Sequence, residues 1–501
     1  MKNLLSIALF LSVYCSTQVF GQRTIAELEM KAGKAQNVFS SNDALGNFVY
    51  IFQGTKSFQI TVLDPSYKVT KEFLIDKDEV EKKNTVVGAT LGEGKIVVYL
   101  YNDKGKAFSS LVVDRVNGNY KFNPSIGTLG KDEFLLKSFE MGGVFYATVI
   151  PEYKNTVLLF SSNEGENFVV KRYEIDFQAL YARLSAKNDE INQKTDNPVG
   201  IEKISYTVEN NIKSSYPSKK MYTYGNKIYM TFEEPSHTHL IIIDPQNPVA
   251  IYRKLNFSLD QGKDKAPRQG NSFLYKGDLF RVTFNNDQLN LIVINLDSME
   301  MLKSYNVLPD QNISFMNGAI KEDGNDIQDR IVKTTNAYFR KVQRGKLAIA
   351  VNDLNNGQYA TEIGGYDEYT TTRGSGYPMT PGLSIGGGIG LGVGIGIGMG
   401  SGGFGGFGGY PGYYPYGGYG GGYTTTSIHV TYFESLLRVD DLSHIPGVIP
   451  KTIREKVNDY EDDVLKNNSP ELLNFMSSQN GLLLGYYVKG RSKYILVEFK
   501  R

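Results

Sequence analysis

"FVYIFQGTKSFQITVLD", residues 48–64, and "IVVYLYNDKGKAFSSLVVD", residues 96–114, have one form: an apolar strand, a polar turn, and a second apolar strand closing on Asp. The same form recurs in "VFYATVIPEYKNTVLLFSS", "IYMTFEEPSHTHLIIID" and "LFRVTFNNDQLNLIVINLD". Weaker copies are "LAIAVND" with its partner "SIHVTYFESLLRVDD", and "LLLGYYVKGRSKYILVEF" near the C-terminus. The seven copies begin at Phe48, Ile96, Val144, Ile228, Leu279, Leu347 and Leu482, so the first two steps are each 48 residues. Weaker strands such as "TVVGATLG" or "KKMYTYG" precede the hairpins, and others such as "NFVVKRYEI" or "AIYRKLNF" follow them, giving four strands per unit.

A period in the forties with four short strands per unit predicts an all-β chain folded as a β-propeller of seven four-stranded blades. Near-continuous apolar runs suit strands covered on both faces, as strands between neighbouring blades are. The last hairpin has no fourth strand after it, and "TIAELEM" near the N-terminus has no hairpin before it. We therefore expect the N-terminal strand to complete the C-terminal blade and remove the open edge. On this spacing the chain resembles the broad β-propeller superfamily from about residue 30 to about residue 500.

Each long step coincides with a change of composition. Residues 177–217 form a charged insertion opening on the helical pattern "FQALYARLSAK". Residues 446–478 read as a helical insertion of two segments. In the first, Thr452 and Glu455 make a capping box ahead of "IREKVNDYEDDVL", with Ile453, Val457, Tyr460 and Val464 on one face. In the second, Ser469 and Pro470 start a helix over "ELLNFM". Residues 373–423 are a low-complexity Gly/Tyr tract at the tip of an overlong hairpin, between the second and third strands of the sixth unit.

In that tract Ile389, Leu391, Val393, Ile395, Ile397 and Met399 alternate with glycine, and Tyr410, Tyr413, Tyr414, Tyr416, Tyr419 and Tyr423 follow. These are the candidate interaction residues. If extended, the first half has one aliphatic face and one bare face. Three roles stay open: a loop that never orders, a silk-like self-associating element, and a membrane element requiring an oligomer or host barrel to pair its edges.

The 501 residues carry 54 basic and 53 acidic side chains, a net charge of +1. No dense basic run is present that could neutralise neighbouring phosphates, so nucleic acid is not an expected partner. Residues 1–21 read as a signal peptide: Lys2, the apolar stretch Leu4–Tyr14, then Val19 and Gly21 before the cleavage point at Gln22. The leader, ending "FGQ", resembles secretory signals of Bacteroidota. The expected address is the periplasm, outer membrane or cell surface. The chain's single cysteine, Cys15, lies in that leader, so the exported part depends on burial and strand pairing rather than disulfides.

Catalytic patterns are sparse. "GSGGFG" matches a dinucleotide-loop pattern, but the tract is so glycine-rich that chance produces it, and no helix pattern follows. His237 and His239 lie two apart in a strand and share a face, making them weak candidate metal ligands without a third donor. Asp64, Asp114, Asp244 and Asp297 close equivalent strands and read as turn-forming residues. The run "DKDEVEKK" at 76–83 reads as a solvated inter-blade loop. Ser161, Asn163, Gly165 and Phe168 resemble the Asp-box turn between the third and fourth strands of sialidase-type propellers, with Asn and Phe replacing the usual Asp and Trp. In those propellers the box is structural. The C-terminal "GYYVKGRSKYILVEFKR" resembles the end of type IX secretion sorting domains, although the last blade already uses it.

The function expected is a non-enzymatic interaction or scaffold module at the envelope. It needs no cofactor, and its partner is an envelope or outer-membrane protein, another copy of the chain, or a membrane. The alternative is a hydrolase or lyase acting on a polysaccharide or peptide at the mouth of the propeller channel.

Overall fold

The computed structural model describes residues 22–500, apart from 374–422, 187–198 and several shorter stretches. Two alternating sets of side chains on each central hairpin decide the architecture. In the strands Phe48–Gly54 and Ser57–Leu63 every residue is buried. Val49 and Ile51 enter the core shared with the next sheet, while Phe48, Tyr50 and Phe52 enter the core shared with the preceding one. Period two thus sends successive side chains into different interfaces, and neither face can be polar.

Seven sheets result, arranged as a seven-bladed β-propeller. Blade 1 holds Ala35–Asn42, Phe48–Gly54, Ser57–Leu63 and Val69–Asp76, counted outward from the axis. Blades 2, 3 and 5 repeat this antiparallel order. In blade 7, Glu471–Ser478, Gly481–Val488 and Lys493–Lys500 are completed by Gln22–Glu29, which pairs antiparallel with Lys493–Lys500. The segment resembling a sorting-domain end is therefore the second and third strands of this blade. Turns joining first to second and third to fourth strands define a lower face. Turns joining second to third strands, and the inter-blade connections, define the upper face.

Three expectations need correction. "ELLNFM" is the innermost strand of blade 7 rather than a helix, because the blade needs an inner edge and Phe475 and Met476 are buried in neighbouring cores. "LAIAVND" pairs with Gln358–Arg373, not with "SIHVTYFESLLRVDD". Blade 6 runs outward as Lys346–Asp353, Gln358–Arg373, Tyr423–Arg438, Ile320–Gly324 and Arg330–Val332, so its outer strands precede its inner one in sequence. Within "DKDEVEKK", Val80 is fully buried between blades 1 and 2, so the run is anchored rather than wholly solvated.

Polar seams stitch the blades. Lys71, Lys171 and Arg253, each the third residue of a fourth strand, donate to backbone carbonyls in the lower turn of the next blade. Their acceptors are Val116 (3.0 Å), Pro245 (2.5 Å) and Leu296 (2.8 Å). Two residues further along the strands of blades 3 and 5, the Tyr173 and Tyr305 hydroxyls donate to Asp244 and Leu442 carbonyls. Between blades 4 and 5, the fully buried Arg281 guanidinium pairs with Glu233 and donates to the carbonyls of Glu234 and Pro235. Gly270 is required there: a Cβ would overlap the guanidinium and the Pro235 carbonyl.

The expected Asp-box turn joins the third and fourth strands of blade 3. Its Gly165 adopts φ +72°, its carbonyl accepts from Asn123 Nδ2 at 3.0 Å, and Phe168 packs edge-on against Phe108 and Phe160.

Two measurements test these seams. Removing residues 22–32 should lower Tm by more than about 5 °C, since the last blade loses its outer strand and the ring its closure; an unchanged Tm would refute the closure. Glu233→Ala should cost about 3–5 kcal/mol in denaturant unfolding, because the Arg281 charge is left buried and unpaired.

Candidate functional site

After blade 3 the chain does not turn directly into blade 4. Helix α1, Leu180–Ser185, buries Leu180, Tyr181 and Leu184 in the core between blades 3 and 4, together with Val199 and Ile201. Glu202–Lys203 then pairs parallel with Lys220–Met221 on the axial edge of blade 4. Tyr206 Oη donates to the Leu274 carbonyl in the inner strand of blade 5 (2.7 Å). Asn210 and Asn352, the latter in the inner strand of blade 6, exchange two hydrogen bonds of 2.6 and 2.7 Å. On the opposite side Lys203 Nζ lies 5.3 Å from the ring centroid of Phe139, in the inner strand of blade 3.

The described residues among 199–216 therefore cross the axis of the ring as a plug. The insertion that composition marks only as charged is, over this half, an axial strut. Burial pushes Lys203 down to about 8, with Lys137 adding to the effect, and burial raises Glu202. A cavity of about 50 Å³ remains, lined by Tyr206, Asn210, Tyr275, Asn352, Asp353 and Leu482 among others. That is room for a few waters and not for a sugar ring or peptide.

The strut ends in helix α2, Ile212–Ser215, capped by Asn211, whose side chain accepts the Ser214 N–H. Ile212 packs on Ala348, Tyr366 and Val430 of blade 6, and Tyr216 stacks on Tyr366 at 3.9 Å. The opposite side of the same blade takes helix α3, Thr335–Arg344, through Tyr338, Phe339 and Val342. Against blade 7 lies helix α4, Ile453–Tyr460, with its Thr452–Glu455 capping box in place. Its Ile453, Val457 and Tyr460 are buried, with Val464 packed beside them, and Val208 of the strut joins that cluster. Blades 6 and 7 are thus joined through inserted segments.

A polar network runs through this wedge. Glu362 faces Glu434 directly across adjacent strands of blade 6. Glu434 pairs with Lys321 (2.8 Å), and Glu362 accepts the Ile212 N–H (3.1 Å). Glu209 of the strut accepts both the backbone N–H and Nε of Arg454 at 2.7 Å. Burial, reinforced by Glu434, raises Glu362 to about 8. Sequence reading missed this pair, since two glutamates 72 residues apart carry no spacing signal. The visible signal was small side chains on one side of the inner strand: Ala348 and Ala350 alternate with Leu347, Ile349 and Val351, leaving space for a helix.

The hairpin of blade 6 is the other distinctive element. Its two 16-residue strands pair without a break from Gln358↔Arg438 to Arg373↔Tyr423. Pairing with the inner strand stops at Tyr366 and pairing with the next outer strand stops at His429, so the six pairs from Glu368↔Ile428 onward extend past the blade on the upper face. At about 3.3 Å per residue this is a ribbon of about 20 Å. Tyr423 is its last paired residue. Ile389, Leu391, Val393, Ile395, Ile397, Met399, Tyr410, Tyr413, Tyr414, Tyr416 and Tyr419 lie outside the described residues, as does the leader 1–21.

The two histidines begin the third strand of blade 4, His237–Ile243, and among the described residues no group of three or more metal-ligating side chains forms. His239 is buried, with Nδ1 2.8 Å from Tyr252 Oη, Nε2 3.2 Å from Glu234, and its ring stacked on Phe177. Burial holds its pKa below the usual histidine value. His237 Nδ1 lies 2.8 Å from Ser236 Oγ. Both nitrogens of His239 are thus engaged by protein groups in an inter-strand lock. Asp64, Asp114 and Asp244 accept backbone N–H groups of their own turns. Asp297 does not: in blade 5 the strand ends earlier, and Asn295 Oδ1 takes that role, accepting from Asp297 and Ser298.

No family model and no curated protein matches the chain. Among solved structures it is similar to the Dos1 propeller, at 10% identity and TM-score 0.29 over 68% of this chain and 72% of that one. It is also similar to Kuenenia stuttgartiensis hydrazine synthase (10%, 0.26, 67% and 78%) and to streptogramin B lyase (10%, 0.26, 68% and 83%).

The wedge makes a pH prediction. Glu362 holds its proton to about pH 8 in the fold, against a usual value of 4.5, so the folded state binds the extra proton between those limits. Stability therefore falls as pH rises through that window. Glu362→Gln should flatten the decline in Tm between about pH 5 and about pH 8; an unaltered slope would place the titration elsewhere.

Proposed function

We propose that the protein is an exported, non-enzymatic interaction module of the cell envelope, with the blade 6 hairpin as its contact element. The observation that carries this reading is the paired ribbon that extends past the blade on the upper face and bears the Gly/Tyr tract at its end. A ribbon with a continuous register positions its tip far better than a loop of equal length, and tyrosine supplies amphipathic contact area at modest entropic cost. The leader-like residues 2–21 support export. The plug across the axis favours a platform over a channel-mouth enzyme, since the inner strands of blades 3, 4, 5 and 6 are occupied by the chain's own residues. The tip's partner is an envelope protein or a second copy of the chain.

Replacing residues 374–422 by an Asn-Gly turn tests this reading, because that dipeptide closes a two-residue hairpin. Thermal unfolding should match the parent, while cross-linked partner recovery from intact envelopes should be lost. Recovery equal to the parent's would overturn the assignment of the hairpin.

A further inference from the structure

The ribbon of blade 6 continues past the strands that flank it. The inner strand of the blade ends its pairing at Tyr366, while the ribbon strand beside it runs on to Arg373. Among the described residues no strand pairs with the axial edge of the ribbon from Asp367 to Arg373. Two strands standing clear of a sheet are marginal in water, and a free edge of this length is a template for another strand. The edge reads "DEYTTTR", residues 367–373, with two acids at its base and an arginine at its tip. The ribbon's outer edge, "YTTTSI", residues 423–428, carries no charge.

We propose that this axial edge pairs antiparallel with the same edge of a second copy of the chain, joining two ribbons into one four-stranded sheet. The proposal rests on the reading of the blade 6 hairpin as the contact element, and it names the occupant. Charge selects the copy and the direction. Laid antiparallel, the acidic base of each edge meets the arginine tip of the other, whereas a parallel pairing sets like charge against like. Symmetry then fixes the register. Hydrogen-bonded and non-hydrogen-bonded pairs alternate along a regular antiparallel ladder, so a two-fold axis must pass through a residue that faces its own copy. Full overlap of the edge puts that axis at Thr370, with Tyr369 opposite Thr371, Glu368 opposite Thr372 and Asp367 opposite Arg373 of the second copy. The arrangement extends the threonine ladder within each ribbon, where Thr370, Thr371 and Thr372 already face Thr426, Thr425 and Thr424. The uncharged outer edge offers no such match.

The overlap also sets how the two rings stand. Seven residues at about 3.3 Å each span about 23 Å. Because the ribbon leaves the upper face, the two upper faces oppose each other at about that separation. Arg373 comes level with Asp367 of the second copy, so each glycine-rich tract is delivered to the other ring's upper face.

The chain from Gln22 onward contains all seven blades and no cysteine, so single cysteines report the pairing directly. Under mild oxidation Thr370→Cys should give a disulfide-linked dimer. Facing residues of an antiparallel pair lie about 4.5–5.5 Å apart between Cα atoms, within the span of a disulfide. Thr371→Cys should not cross-link, because its two copies are offset by two residues along the strands, and neither should Thr425→Cys on the outer edge. In sedimentation, Asp367→Arg and Arg373→Asp should each weaken self-association at least about tenfold, since both ends of the pairing then set like charges together. An equimolar mixture of these two variants should associate as the parent does, because every facing charge is again opposite. An unaltered Tm in each variant separates loss of pairing from loss of fold. A monomeric parent, a mixture that stays monomeric, or a Thr371→Cys or Thr425→Cys dimer in place of the Thr370→Cys one would overturn the proposal. The purified chain carries no envelope protein, so such a failure beside intact partner recovery from envelopes would leave the contact role of the hairpin standing.

Discussion

Ring closure is the condition on which everything else depends. A blade whose central strands are apolar on both faces is stable only between two neighbours, so six blades leave two exposed faces and the seventh covers both. That seventh blade is built from the two ends of the chain, through the pairing of Gln22–Glu29 with Lys493–Lys500. The pairing also sets the reciprocal core in which Leu483, Tyr494 and Leu496 of blade 7 meet Tyr50 and Phe52 of blade 1. Every other inter-blade core depends on this one being shut.

The ring is not uniform, and its irregularity is concentrated. Between most blades the contact is apolar side chain against apolar side chain, with lysine and arginine at the outer edge tying one blade to the next turn. Between blades 6 and 7 the strut and two short helices intervene, bringing buried carboxylates and the Glu209–Arg454 contacts with them. Such a seam is less tolerant than an apolar one, since each buried charge depends on its partner remaining in place.

The strength of the periodic signal decided what could be read from the sequence. The hairpins at Phe48, Ile96 and Val144 announced themselves because residues buried on both faces must be apolar throughout. The basic staples were equally visible in "VTKEF", "VVKRY" and "IYRKL", but their meaning needs the next blade's turn, which sequence does not place beside them. "ELLNFM" carries helix-forming residues after a proline, and tertiary demand for an inner strand overrode that preference. The strut was least legible. Its residues are mostly polar and contact the inner strands of successive blades one at a time, so no periodicity marks it. For the histidine pair, the sequence could give a shared strand face but not the aromatic and carboxylate partners that occupy it.

The threading of blade 6 has a kinetic consequence. Its third strand, Tyr423–Arg438, is inserted between Ile320–Gly324, made about a hundred residues earlier, and Gln358–Arg373. During synthesis the outer strands must wait, with an edge unsatisfied, until the whole glycine-rich tract has emerged. The N-terminal strand waits longer still, for a partner more than 460 residues away. Contacts this remote in sequence fold slowly and leave strand edges open to other chains in the interval.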